Sequence, residues 1–252
     1  MGDNPLSMRW SVVLLLLAFL AAGASAAEPA PLDLLVYGAT GKVGSRTVME
    51  ALDRGHRVTA VSRDPSQIEL RHENLTAAKG DLLDVDGIRE LAAGRDVVIV
   101  SVRGIIGRSK TEGSALQYIA ARNIVEALRG MGGGAPRLIH VGGSGSLEVR
   151  PGVLYADKLP KLFLPKKVEL EIAGQVLALE YLRGVSDVRW TYATPAKNFT
   201  NGKRTGVYRI GGDQLMEDAR GRSRISRADF AVALIDEAES AAHVCERFSV
   251  AY

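Results

Sequence analysis

Cysteine occurs once in this 252-residue chain, at Cys245, so no intrachain disulfide and no cysteine-cluster metal site can form. Four histidines, His56, His72, His140 and His243, stand far apart and show no ligand spacing, which leaves metal catalysis without support. His140 falls in an apolar run and is expected to be a satisfied core histidine. The formal charge is only +3, and no Lys/Arg run is interleaved with aromatics, so no nucleic-acid partner is expected. Internal repeats, low-complexity tracts and linkers are absent from residues 32–252. With 46% hydrophobic and 24% charged residues, that span reads as one globular domain with a sizeable core.

The long uncharged run, residues 10–27, stands apart from this domain. Arg9 precedes it, leucine and valine dominate its centre, and Ala24-Ser25-Ala26 puts small residues where a signal peptidase reads. That order predicts a secretory signal peptide over residues 1–26, cleavage after Ala26 and an exported, periplasmic protein. Uncleaved, the run would be an N-terminal membrane anchor, although spanning takes about 20 apolar residues. Met8 would give a tidier leader than Met1.

What the chain does have is a glycine loop, Gly38-Ala39-Thr40-Gly41-Lys42-Val43-Gly44-Ser45, between the strand-forming residues 32–37 and a helical pattern carrying Val43, Val48, Ala51 and Leu52. Gly38 suits a tight turn off the strand, Gly41 a close backbone approach to a pyrophosphate, and Gly44 the packing of helix on sheet. Gly55 sits where the helix should end, and residues 57–61 supply a second strand. A βαβ unit of about thirty residues around such a loop is the dinucleotide-binding pattern. Ser62-Arg63 follows the second strand where NAD-binding chains usually carry a carboxylate. Arg63 suits a ribose 2′-phosphate and Lys42 could add a second charge, so NADP is expected rather than NAD; the alternative is Asp64 on the ribose hydroxyls.

The alternation continues. Strands are predicted at 75–79, 96–102, 138–141, 188–193 and 247–252, and helices at 86–93, 114–128, 167–182 and after Ser226-Arg227-Ala228-Asp229, which has capping-box spacing. Thr194-Pro195 ends the strand at 188–193. The fold class predicted is α/β, a Rossmann doubly wound parallel sheet in a single domain.

Four segments carry a narrower resemblance: residues 36–44, residues 140–149 (His140-Val-Gly-Gly-Ser-Gly-Ser-Leu-Glu-Val), residues 206–214 and residues 223–229. In these the chain resembles the atypical short-chain dehydrogenase/reductases, in particular the NAD(P)H-binding group named for a proposed NADH-flavin reductase activity and related to flavin/biliverdin reductases. The resemblance covers residues 32–252. It implies a pyrophosphate at Gly38, Thr40, Gly41, Lys42, Val43 and Gly44, the adenosine phosphate at Arg63, and the adenine near Asp81 and Leu82. It also implies a nicotinamide ribose at Ser101-Val102-Arg103, with the ring flanked by residues 142–146 and Thr194-Pro195-Ala196. A secretory leader is not usual in that family.

The Tyr-x-x-x-Lys pair of short-chain dehydrogenases, in which lysine lowers the tyrosine pKa for proton exchange, is missing. Tyr155-Ala-Asp-Lys158 comes nearest, one residue short and beside Pro151 and Pro160. Tyr155 is thus a candidate acid or an exposed loop tyrosine. Ser144 and Ser146 occupy the place of the family's serine, Ser144 being the candidate. Without a strong proton donor, the expected chemistry is hydride transfer from NADPH to a flavin, quinone or similar planar acceptor. A dinucleotide-binding regulator without turnover is the alternative. A nucleotide-sugar epimerase is disfavoured by the short C-terminal region.

Overall fold

The computed structural model describes residues 30–107 and 111–252; the expected leader lies outside them. Strand β1 (Asp33–Tyr37) sends Leu34 and Val36 to one face of a sheet and Leu35 and Tyr37 to the other, all four buried. A strand apolar on both sides must be covered on both sides, and this one lies inside the sheet. Helix α1 (Gly44–Asp53) ends with Gly55 at φ +80°, where the N–H groups of Gly55 and His56 donate back to Leu52 and Ala51. Strand β2 (Arg57–Ser62), β3 (Leu75–Lys79), α2 (Val85–Ala92), β4 (Val97–Val100), α3 (Leu116–Arg129) and β5 (Arg137–Val141) complete the first half.

The second half runs β6 (Glu148–Arg150), β7 (Val153–Leu154), the one-turn α4 (Tyr155–Lys158), α5 (Lys166–Arg183), β8 (Trp190–Pro195), β9 (Asn198–Thr200), β10 (Arg209–Gly211), β11 (Arg224–Ser226), α6 (Arg227–Ser240) and β12 (Glu246–Ala251). The central eight-stranded sheet has the order β10-β12-β8-β5-β4-β1-β2-β3. Seven strands are parallel, and β10 closes one edge antiparallel to β12. Strands β6 and β7, and β9 and β11, form two small separate pairs.

Each face of the sheet carries its own core. Helices α1 and α6 cover one with Val48, Ala51, Leu52, Phe230, Leu234 and Ile235 over Leu34, Val36, Ile99 and Phe248. Helices α2, α3 and α5 cover the other with Ile88, Ile124, Leu128, Leu179 and Leu182 over Leu35, Val98, Val100 and Tyr192. Each such leucine or isoleucine contributes about 1.5–3 kcal/mol on burial. Residues 31–252 form one compact unit of Rossmann type.

Two local expectations change. The helix expected from Ser114 starts at Leu116, because Ala115 is drawn into extended backbone by a bridge to Ile105; residues Glu112–Ser114 form a 3-10 turn before it. At α6 the Ser226 hydroxyl does cap the Asp229 N–H, at 2.9 Å, but the carboxylate does not return to the Ser226 N–H. Asp229 instead accepts from the N–H groups of Thr205 and Gly206 and from the hydroxyls of Thr205 and Tyr252. Burial pushes the Asp229 carboxyl up, and the hydrogen bonds from Tyr252, Gly206 and Thr205 outweigh it, holding the pKa below the usual range. This residue ties the 205–206 turn and the C-terminus to the start of α6.

Candidate dinucleotide and acceptor site

Strands β1, β2 and β3 advance toward one edge of the sheet, while β4, the other neighbour of β1, begins the run toward the opposite edge. The chain leaving β1 and the chain leaving β4 therefore part, and a cleft opens between their carboxyl ends, as doubly wound sheets require. The glycine loop fills its floor. Gly38 has φ +78°, and a Cβ there would stand 2.2 Å from the Ser101 carbonyl oxygen. At Gly44, the first residue of α1, a Cβ would stand 2.1 Å from the Gly38 carbonyl oxygen, so this glycine lets the helix start sit close against the backbone that leaves β1. Gly41 differs from both. A Cβ there would meet the Gly38 carbonyl oxygen at 3.0 Å and the Ser101 carbonyl oxygen at an ordinary 3.9 Å, and otherwise point into the cleft.

Helix α1 has no side-chain cap, and the N–H groups of Lys42 and Val43 donate to no protein acceptor among the described residues. Free N–H groups at a helix start, beside a glycine whose missing side chain leaves the backbone approachable, fit the diphosphate of a dinucleotide.

On one side of the loop lies a cavity of about 610 Å³ that joins Arg63, Asp81 and Leu82, expected at the adenosine, to Gly38, Thr40 and Gly41, expected at the pyrophosphate, and to Ser101, expected at the nicotinamide ribose. Arg63 is exposed and has no carboxylate within ion-pair distance among the described residues. The Asp64 carboxylate is occupied locally, accepting from the Ser66 N–H and hydroxyl and from the Gln67 amide. On the other side a second cavity of about 500 Å³ brings Lys42, Val43, Ser101 and Arg103 together with Ser144, Tyr155, Pro195, Phe199 and Arg227. Tyr155 is neither free in a loop nor fully exposed. It opens α4, its N–H donates to Leu147 at 2.7 Å, and its side chain is half-buried in the cavity wall.

Thr194 does not reach this cavity. It pairs with Ser249 inside the sheet and is fully buried, so the flank is made by Pro195 and Ala196 alone. Of the two serines, Ser146 is buried and its hydroxyl donates to the Gly143 carbonyl at 2.9 Å, leaving Ser144 as the one that faces the cavity. His140 is a core residue but not a satisfied one: neither ring nitrogen has a partner, and the ring stacks on Tyr192 at 5.5 Å. Burial alone pulls its pKa down to about 4, so it stays neutral.

Several residues that build the site carry no local signal. The 142–146 segment lies so close to its supports that a Cβ on Gly142 would strike the Tyr192 ring and one on Gly143 the Gln175 amide, at 2.1 and 1.9 Å. Buried Arg247 reaches the Ser146 carbonyl at 3.2 Å while its Nε donates to Asp213 at 2.7 Å. Across the cavity Arg103 pairs with buried Glu171 at 2.5 Å.

Fold and cleft define a Rossmann-type dinucleotide-binding protein. A family model described as NAD(P)H-binding matches residues 38–240, and the chain belongs to that family. It is 32% identical over 220 residues to the uncharacterised Bacillus subtilis protein YwnB, covering 85% of this chain and 96% of that one. Among solved structures, a Bacteroides thetaiotaomicron protein proposed to be an epimerase is 33% identical, with a TM-score of 0.78 over 88% of this chain and 97% of that one. A Streptococcus pneumoniae protein proposed to be an NADH-flavin reductase is 29% identical, with a TM-score of 0.72 over 87% and 99%. The protein therefore has an NAD(P)H-binding oxidoreductase fold, and its cofactor is a nicotinamide dinucleotide.

Proposed function

We propose that this protein is an NADPH-dependent reductase that passes hydride to a flavin, quinone or similar planar acceptor. The observation that carries the reading is the second cavity: it continues the dinucleotide cleft past the glycine loop, and it is walled by the 142–145 segment, Tyr155, Pro195 and Phe199. When bound, the nicotinamide supplies the hydride. The chain's own part is to hold the dinucleotide on the Lys42 and Val43 N–H groups, to fix the ring's surroundings through Tyr192, Gln175 and Arg247 behind residues 142–146, and to place an acceptor against it. Tyr155 and Lys158 share a one-turn helix, and Tyr155 makes no hydroxyl hydrogen bond among the described residues, so an obligatory proton donor is not part of the proposal. The name of the S. pneumoniae relative favours the same acceptor class.

Preference for NADPH rests on Arg63, unpaired at the end of β2, and on Asp64, whose oxygens are already taken. We further propose export, from the leader-like residues 1–26. Titration of the purified protein with NADPH and NADH, followed by addition of a panel of flavins and quinones, tests the function. Acceptor-dependent oxidation of NADPH in preference to NADH is expected; bound NADPH that no acceptor oxidises would favour a regulatory dinucleotide sensor.

A further inference from the structure

The second cavity carries four basic side chains, and two of them are already neutralised. Arg103 pairs with Glu171, and Lys197 with Glu217 at 2.8 Å. Lys42 and Arg227 have no carboxylate partner among the described residues, and Glu171 is the only carboxylate in the wall. Arg227 is also held in place. Its guanidinium lies 5.0 Å from the centre of the Phe199 ring, which in turn meets Phe230 edge-on at 5.2 Å. One Nη1 hydrogen bond goes to Asn201 at 2.8 Å, and the other donors have no protein acceptor among the described residues. Burial, then the charges of Arg46 and Arg103, push the guanidinium below its usual pKa. A cation fixed against an aromatic ring, among other cations and with donors to spare, is arranged for an anion.

Resting on the reductase reading above, we propose that Arg227 binds the anionic tail of the planar acceptor, a phosphate or carboxylate, and so selects charged acceptors over neutral ones. The diphosphate of the dinucleotide is a second anion that could lie near this residue. The N–H groups of Lys42 and Val43 at the start of α1 already provide for it; those two residues share the second cavity with Arg227, so the experiment below separates the two anions. Phe199 gives the tail end of the acceptor a flat surface next to the charge. Flavin mononucleotide and riboflavin are the test pair, because they share the isoalloxazine ring and differ by one phosphate.

The experiment compares wild type with Arg227→Gln and Arg227→Lys, all in the full chain. Affinity for each flavin is read by fluorescence quenching on NADP⁺-saturated protein, and kcat/KM is read alongside. Wild type is expected to favour flavin mononucleotide by about ten- to a hundredfold, the range of one charge-assisted hydrogen bond. Arg227→Gln should bring the ratio to about one, Arg227→Lys should restore part of it, and added salt should narrow it in wild type. Equal affinity of wild type for the two flavins would overturn the proposal, even if both are reduced. A loss of NADPH affinity in Arg227→Gln with the flavin ratio intact would overturn it too, by assigning Arg227 to the diphosphate. If neither flavin is reduced, the reductase reading fails, and the binding ratio still decides the anion site.

Discussion

Two glycines three residues apart should fail in opposite ways. At Gly38 the backbone is left-handed, φ +78°, which costs an L-residue about 1–2 kcal/mol. A Cβ there would also stand 2.2 Å from the Ser101 carbonyl oxygen, a backbone atom that cannot swing aside. Overpacking of that kind adds about 1–3 kcal/mol. Gly38→Ala is therefore expected to destabilise the fold by roughly 2–5 kcal/mol, lowering Tm by about 5–15 °C. At Gly41 the backbone φ is ordinary, and a Cβ meets the Gly38 carbonyl oxygen at 3.0 Å and the Ser101 carbonyl oxygen at an ordinary 3.9 Å. The fold should tolerate Gly41→Val at a cost near 1 kcal/mol. Its branched side chain would, however, fill the space that the diphosphate needs, and NADPH affinity should fall more than about a hundredfold, the loss of roughly 3 kcal/mol of contacts. Thermal melts followed by circular dichroism, paired with NADPH fluorescence titrations, separate the two effects. Retained NADPH affinity in Gly41→Val with an unchanged melt would refute the placement of the dinucleotide across this loop.

Arg63→Ala should weaken NADPH binding by about 1.5–3 kcal/mol and leave NADH nearly unchanged, because only NADPH carries the 2′-phosphate; equal losses by titration would show that Arg63 does not read it. Tyr155→Phe should keep more than about a tenth of wild-type kcat/KM with a flavin, since an obligatory general acid is worth about 10²–10⁴-fold; a thousandfold fall with intact cofactor affinity would make Tyr155 a true proton donor. His140→Phe should remove a pH dependence of stability. With the folded pKa at about 4 against an ordinary 6.5, the unfolded chain takes up the proton first, so the wild type loses stability as pH falls through that window. The loss is worth about 3 kcal/mol, and urea unfolding of both proteins at pH 7 and pH 4.5 should show it in wild type alone; parallel losses would mean that the buried imidazole is not the group responsible.

The parts of the fold legible in the sequence are those written by neighbours. The glycine loop, the Schellman ending at Gly55 and the βαβ unit lie within thirty residues of one another, and strand β3 occupies the predicted residues 75–79. The rest depends on contacts across the chain. Ala115 is extended because of Ile105, and Asp229 leaves its capping role because Thr205, Gly206 and Tyr252 converge on it. Thr194 matches the family pattern in sequence yet is covered inside the sheet beside Ser249. Arg247, which steadies the 142–146 segment from 101 residues away, has no local signature at all. Arg227 reads in sequence only as the second residue of a helix cap; its unpaired charge becomes visible once Phe199 and Asn201 are seen around it. His140 shows the limit most clearly. An apolar strand predicts its burial, but whether a ring nitrogen finds a partner is decided by residues that the strand does not contain.

The central claim is that one continuous cleft holds a reduced nicotinamide dinucleotide on the glycine loop and a planar acceptor beyond it. Its most direct test is the anaerobic mixing of the preformed NADPH complex with flavin mononucleotide, following loss of nicotinamide absorbance and flavin colour together in wild type and Gly41→Val. Stoichiometric loss of both signals in wild type, absent in the variant, is the expected result. A wild-type complex that binds NADPH tightly and leaves the flavin, and every quinone tried after it, oxidised would contradict the account.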